Sequence, residues 1–240
     1  MQPTENAATP PDHHPGFSRR LWLILALSLA LRALVVGVVL PDVERAASGT
    51  DAEQFLILGY NLAAHGAFSQ AEEPPYLPDP IRTPGYPAVI ALLTWLAGPR
   101  PLAAILIAQA VVGALTAAGV ALLARRLVEP EAGWQAGLFA ALAPATLILT
   151  GFASAEVFFS AWLVGGALLL VEGLRRERWP LSGLGGLCFG AAALTRPIGV
   201  MLLPVLVIVP LVDRPLRRAW RPALASVAGL ALLAGLWMGR

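Results

Sequence analysis

Seven apolar runs, at 21–40, 101–124, 133–152, 157–174, 181–195, 198–212 and 222–237, are separated by short stretches that carry Arg, Pro and acids. The first run alone makes roughly 30 Å of helix, the thickness of a bilayer's hydrocarbon core. The pattern predicts an all-α, polytopic membrane bundle of about seven spans. Residues 181–212 would overrun a bilayer as one helix, and Arg196-Pro197 falls at their midpoint, where proline removes a backbone donor and clashes with the preceding turn. A helical hairpin is expected there. Between the first two spans, Thr50 opens a helical pattern that runs to His65, with Gly66 as its stop. Phe55, Leu56, Gly59, Leu62 and Ala63 share one face, suited to the membrane surface.

Composition agrees with this reading. Apolar residues make up 57% of 240 positions and charged ones 13%, where a soluble domain is about half apolar and about a quarter charged. Residues 1–20 read as a disordered cytoplasmic tail ending in Arg19-Arg20, and 21–240 as the transmembrane domain. The first run is long for a signal-peptide core and no small-residue cleavage pattern follows it, so it reads as an anchor. Cys188, the single cysteine, lies inside an apolar run and reads as a small packed hydrophobe.

Every basic residue is Arg, and their placement sets orientation. With the N-terminus inside, Arg19, Arg20, Arg125, Arg126, Arg175, Arg176, Arg178, Arg214, Arg217, Arg218 and Arg221 are cytoplasmic. Arg45, Arg82, Arg100, Arg196 and Arg240 fall on or near the outer side, and Arg32 lies within the first span. The short apolar stretch 84–98 would reverse this balance if it crossed. It is therefore expected to lie along the outer interface or re-enter, with Tyr86 and Trp95 at an interfacial depth. That leaves one large outer loop, 41–100, whose first part gathers Asp42, Glu44, Asp51, Glu53, Glu72, Glu73 and Asp79.

Four segments carry candidate chemistry. Asp51 and Glu53 open the 50–65 helix; on spacing alone a capping box with Thr50 and a favourable helix dipole account for them better than a site does. Arg82-Thr83-Pro84-Gly85-Tyr86-Pro87 is conformationally restricted, and its guanidinium suits a lipid phosphate or simple snorkelling. Ser154-Ala155-Glu156 closes two consecutive spans, either as a helix cap or as a site acid on the same side as Asp51. Leu194-Thr195-Arg196-Pro197 caps the hairpin. His13, His14 and His65 have no ligand spacing, and Gly186 with Gly190 reads as a helix-packing motif.

Taken in order, these segments resemble the GT-C glycosyltransferases, within them the bacterial branch related to dolichyl-phosphate-mannose protein mannosyltransferases and the lipid A aminoarabinose transferase. The residues that carry the resemblance are Asp51-Ala-Glu-Gln-Phe, Tyr60-Asn-Leu-Ala-Ala-His-Gly-Ala-Phe-Ser69 and Arg82-Thr-Pro-Gly-Tyr-Pro87. Leu123-Ala-Arg-Arg-Leu127, Ser154-Ala-Glu156 and Leu194-Thr-Arg-Pro197 follow.

The resemblance implies a membrane enzyme that moves a hexosyl or pentosyl unit, with inversion, from a polyprenyl-phosphate carrier to a lipid, glycan or protein hydroxyl outside a bacterial plasma membrane. It makes Asp51 the catalytic base and Glu156 a second catalytic acid. Arg82 and Arg196 become the donor-phosphate residues, and Glu53 and Tyr86 their support. No cofactor and no nucleic acid is implied. A divalent metal at Asp51 and Glu53 is not favoured, since Arg serves a monophosphate leaving group unaided. The apolar 86–98 segment is expected to floor the groove for the lipid tail. Family members run about as long again, so the chain is expected to be an N-terminal portion that does not turn over alone. A transporter fragment is the alternative, disfavoured because only Arg32 lies deep in a span; a non-catalytic membrane scaffold is the other.

Overall fold

A computed structural model describes residues 15–42, 46–47, 50–212 and 220–239. Glu44, Arg45, Arg214, Arg217, Arg218, Arg240, both tail histidines and the tail as far as residue 14 lie outside the described residues. Helix α1 (Pro15–Val39) already includes 15–20, which the sequence assigns to the tail. It is followed by α2 (Thr50–His65), α3 (Gly85–Ala97), α4 (Leu102–Leu127), α5 (Pro130–Leu142) and the short α6 (Pro144–Ile148). Then come α7 (Ala155–Arg175), α8 (Trp179–Thr195), α9 (Leu202–Val212) and α10 (Trp220–Met238). The architecture is an all-α bundle, with no strand among the described residues.

Four helices, α1, α4, α7 and α10, are long and apolar enough to cross a bilayer, and α5 with α6 makes a fifth if that bent pair is one span. The expected count of about seven also includes α8 and α9, which at 17 and 11 residues fall short of that length. Trp22, Leu34, Phe139 and Leu236 are exposed on the bundle's outside, as lipid-facing side chains are. The protein is a multi-pass membrane protein.

Proline sets the breaks. Ala143 precedes Pro144 and is held at φ −58°, ψ 114°, off the helix, because the proline ring crowds the preceding residue. The run at 133–152, which the sequence reads as a span, is therefore broken into two helices, bent by 48°. Arg196 is extended for the same reason before Pro197, and the hairpin turns there as expected.

Ion pairs fix which helix ends lie together. Arg20 pairs with Glu131 at 2.5 Å, and Arg126 pairs with Glu172 at 3.1 Å. The start of α1, the end of α4, the start of α5 and the end of α7 thus share one end of the bundle. The chain leaves that end in α1 and returns in α4, so α3, only 13 residues long, is not a crossing. Two expectations about this region are corrected. The apolar face of α2 packs on α3, with Gly59 against Ile90, and does not present itself to the membrane surface. Tyr86 is fully buried among Phe55, Ile105 and Phe158 and is no interfacial anchor, whereas Trp95 is exposed and donates to the Ala63 carbonyl at 2.9 Å.

Candidate active site

At the opposite end of the bundle from those ion pairs, a cavity of about 510 Å³ is lined by Asp51, Phe55, Arg82, Ser154, Glu156 and Arg196, among others. Four chain segments converge there, and each is placed by a local feature. Asp51 stands in the first turn of α2. Glu53, two residues on and so roughly on the other side of that helix, is exposed and is no part of the lining.

Arg82 is set by Asp79, whose Oδ1 accepts the backbone N–H groups of Ile81 at 2.9 Å and Arg82 at 2.7 Å, while Gln70 donates to Oδ2. Burial pushes the Asp79 carboxyl up. The hydrogen bonds from Arg82, Gln70 and Ile81, with the Arg82 charge, outweigh that and hold it below the usual carboxylate range. The Arg82 guanidinium lies over the Phe55 ring at 5.3 Å, donates from Nε to Gln54 Oε1 at 2.9 Å, and pairs with Asp51 through Nη2 at 2.7 Å.

The hairpin tip closes the other wall. Thr83 donates its hydroxyl to the Thr195 carbonyl at 3.0 Å across 112 residues of sequence. Glycine is needed next to it, since a Cβ on Gly85 would lie 2.7 Å from the Leu194 carbonyl. Arg196, released from the helix by Pro197, pairs with Glu156. Ser154 holds the N-cap position of α7, yet its hydroxyl makes no capping bond. It donates instead to Glu156 Oε2 at 2.5 Å.

Behind this layer lies Gln109, about two turns into α4 and fully buried. Its Oε1 accepts from Tyr86 Oη at 2.6 Å and from the Ser154 N–H at 3.0 Å, and its Nε2 donates to the Phe152 carbonyl at 2.7 Å. Tyr86 is thus tied through Gln109 to the backbone of Ser154, from outside the cavity. The lining comes from the first turns of α2 and α7, the end of α8 and the loops beside them, and no residue of α3 is among it.

Two acid–arginine pairs therefore face one cavity. Asp51 with Arg82 is the more open of them, the Asp51 side chain being 71% exposed. Such a pair offers an oxyanion a planar five-donor cation and offers a hydroxyl a carboxylate acceptor.

Residues 80–238 match the model of the dolichyl-phosphate-mannose-protein mannosyltransferase family. The chain belongs to this family. The match takes in Arg82, Tyr86, Glu156 and Arg196, about two thirds of the chain in all, while Asp51 and Glu53 precede it. No individual protein of known function and no solved structure gives a match. The protein is a membrane glycosyltransferase of the GT-C type.

Sequence reasoning does not single out Gln54, Asp79 or Gln109 in this glycosyltransferase. Gln109 does leave a signal, as an amide inside an apolar span, where polar residues are costly and seldom idle. Gln54 stands inside the Asp51-Ala-Glu-Gln-Phe motif and Asp79 among the acids of the outer loop, but nothing in the sequence gives either of them a role.

Proposed function

We propose that this glycosyltransferase transfers a sugar from a polyprenyl-phosphate carrier to an acceptor hydroxyl on the outer side of a bacterial plasma membrane, with its N-terminus in the cytoplasm. What supports this reading is the convergence of Asp51–Arg82 and Glu156–Arg196 on one cavity at the end of the bundle remote from the Arg-rich one. The donor phosphate takes the place of the Asp51 carboxylate on Arg82, with Arg196 as a second cation. Displacement frees Asp51, which accepts the proton of the acceptor hydroxyl as that oxygen attacks the anomeric carbon. The bond from the anomeric carbon to the phosphate oxygen breaks on the opposite face, so the centre inverts. The electron pair leaves with the polyprenyl phosphate, and the arginines stabilise the charge that develops there. Glu156 orients the acceptor. Glu53, turned away from the cavity, has no part in this scheme, and the arginines carry the charge without a metal.

The test is transfer and donor binding measured on two variants. Asp51→Asn should abolish transfer and keep carrier binding. Arg82→Ala should weaken carrier binding by about 1.5–3 kcal/mol, the usual cost of a lost charge-assisted partner. Full turnover by Asp51→Asn would return that residue to a capping role and end this reading.

A further inference from the structure

Below the reaction cavity, and sharing Leu149 and Glu156 with it, lies a second cavity of about 240 Å³ walled by α1, α4, the α5–α6 break and α7. Its lining is mostly apolar, with Gly113, Ala117, Val120 and Val164, but Arg32 forms part of the wall, beside the hydroxyl-bearing Thr116, Thr146 and Ser160. Arg32 is 2% exposed and stands about two turns below the outer end of α1, at membrane depth. Among the described residues no carboxylate pairs with it.

Its hydrogen bonds leave it half used. Nη1 donates to Ser28 Oγ at 2.6 Å and to the Ser28 carbonyl at 3.5 Å, and Nη2 donates to Thr146 Oγ1 at 3.2 Å. Nε has no partner although it is wholly buried. Of the five N–H donors of a guanidinium, two have no acceptor, one on Nη2 and the buried one on Nε, which lies against Gly113. Gly113 makes room for the group, since a Cβ there would collide with Nε.

A buried cation with no ion pair is expensive in a bilayer, and such residues mark ligand sites there; the carboxylate in the chamber wall, Glu156, is taken up by Arg196. We propose that this chamber is a second anion subsite, in which Arg32 binds a phosphate monoester at membrane depth, distinct from the donor phosphate at Arg82 and Arg196. The phosphate can be borne by a lipid entering past Thr146, which is exposed on the bundle's flank, or can be a free anion. The subsite stands independently of sugar transfer, because it rests on Arg32 and the chamber alone.

The experiment is calorimetric titration of the full chain in detergent with farnesyl monophosphate, with inorganic phosphate and farnesol as parallel probes. Wild type should bind two equivalents of farnesyl monophosphate, and Arg82→Ala/Arg196→Ala one. Arg32→Gln should lose the other, by about tenfold or more in affinity. Ser160→Leu fills the chamber and leaves every Arg32 hydrogen bond in place, so it should lose the same equivalent even if Arg32→Gln does not fold. Competition by inorganic phosphate at the Arg32 equivalent assigns a free anion there, and its absence a lipid-borne one; either supports the subsite. If wild type binds one equivalent that only Arg32→Gln or Ser160→Leu removes, the subsite holds and the reading of Arg82 and Arg196 fails. A stoichiometry unchanged in Ser160→Leu, or equal binding of farnesol at that equivalent, overturns the subsite.

Discussion

Gln109 and Asp79 show how the site residues are held in place. Tyr86 Oη, the Ser154 N–H and the Phe152 carbonyl all meet the Gln109 amide in the interior. Gln109→Leu keeps the approximate size and removes all three partners. Leaving a buried donor unpaired costs about 1–3 kcal/mol, so thermal unfolding in detergent should show a loss of at least that order. Tyr86→Phe, which removes one donor, should cost less. An unchanged melting temperature for Gln109→Leu would show that these groups find other partners. Asp79 gives a pH dependence. Its folded-state carboxyl is held below the ordinary value, so its contribution is complete above that value, about 3.9, and is lost as pH falls through the folded one. Asp79→Asn should therefore melt lower than wild type at neutral pH, and the gap should close as the medium is taken below the ordinary carboxylate range. A gap that does not vary with pH would mean that the Asp79 charge is not what orders Arg82.

Between elements, close approach of backbones depends on missing side chains. The Gly186 face of α8 lies against the α10 backbone, where a Cβ would collide with the Ser226 carbonyl, and Gly229 approaches Gly183 and Leu187 from the other side. Without a hydrophobic drive between helices in lipid, such contact is what holds them. Gly165 on α7, by contrast, has nothing within 4 Å of its would-be Cβ. Gly186→Ala should destabilise by about 1–3 kcal/mol through overpacking. Gly165→Ala should be neutral or stabilise by up to about 1 kcal/mol, since alanine is the better helix former. Chemical unfolding of the two purified variants reads the contrast, and a loss in both would mean that helix packing is not the discriminating term. The role of Gly186 and Gly190 is legible in sequence as spacing; that α10 is their partner is not, because many faces can meet such a surface.

For the whole molecule the charged ends decide the frame. Arg20, Arg126, Glu131, Glu172 and Arg176 gather at one end, and Asp51, Arg82, Glu156 and Arg196 at the other. The excess of Arg at the first end predicts that it is cytoplasmic. A topology reporter fused after Arg126 or Arg178 should read inside, and one near Glu72 outside. Fusions at Arg126 and Glu72 that report the same side would contradict both the parity of the bundle and its orientation.

What is local follows from the order of residues. Runs of apolar residues set the helices, Gly66 with its φ of +64° ended α2 at His65, and Pro197 turned the hairpin, because each acts on its own backbone. The types and order of the residues that line the cavity are legible too, since chemistry belongs to the side chain. Pro144 was equally visible as a residue, but the 48° bend it makes depends on how α5 and α6 pack against α1 and α4. Tertiary structure alone decided which acid meets which arginine, that Tyr86 faces inward to Gln109, and that Glu53 turns away from the cavity on which Asp51 opens. Those choices rest on contacts between segments as much as 112 residues apart. A sequence pattern gives a residue its height along a helix; only packing gives the direction it faces and the neighbour it finds.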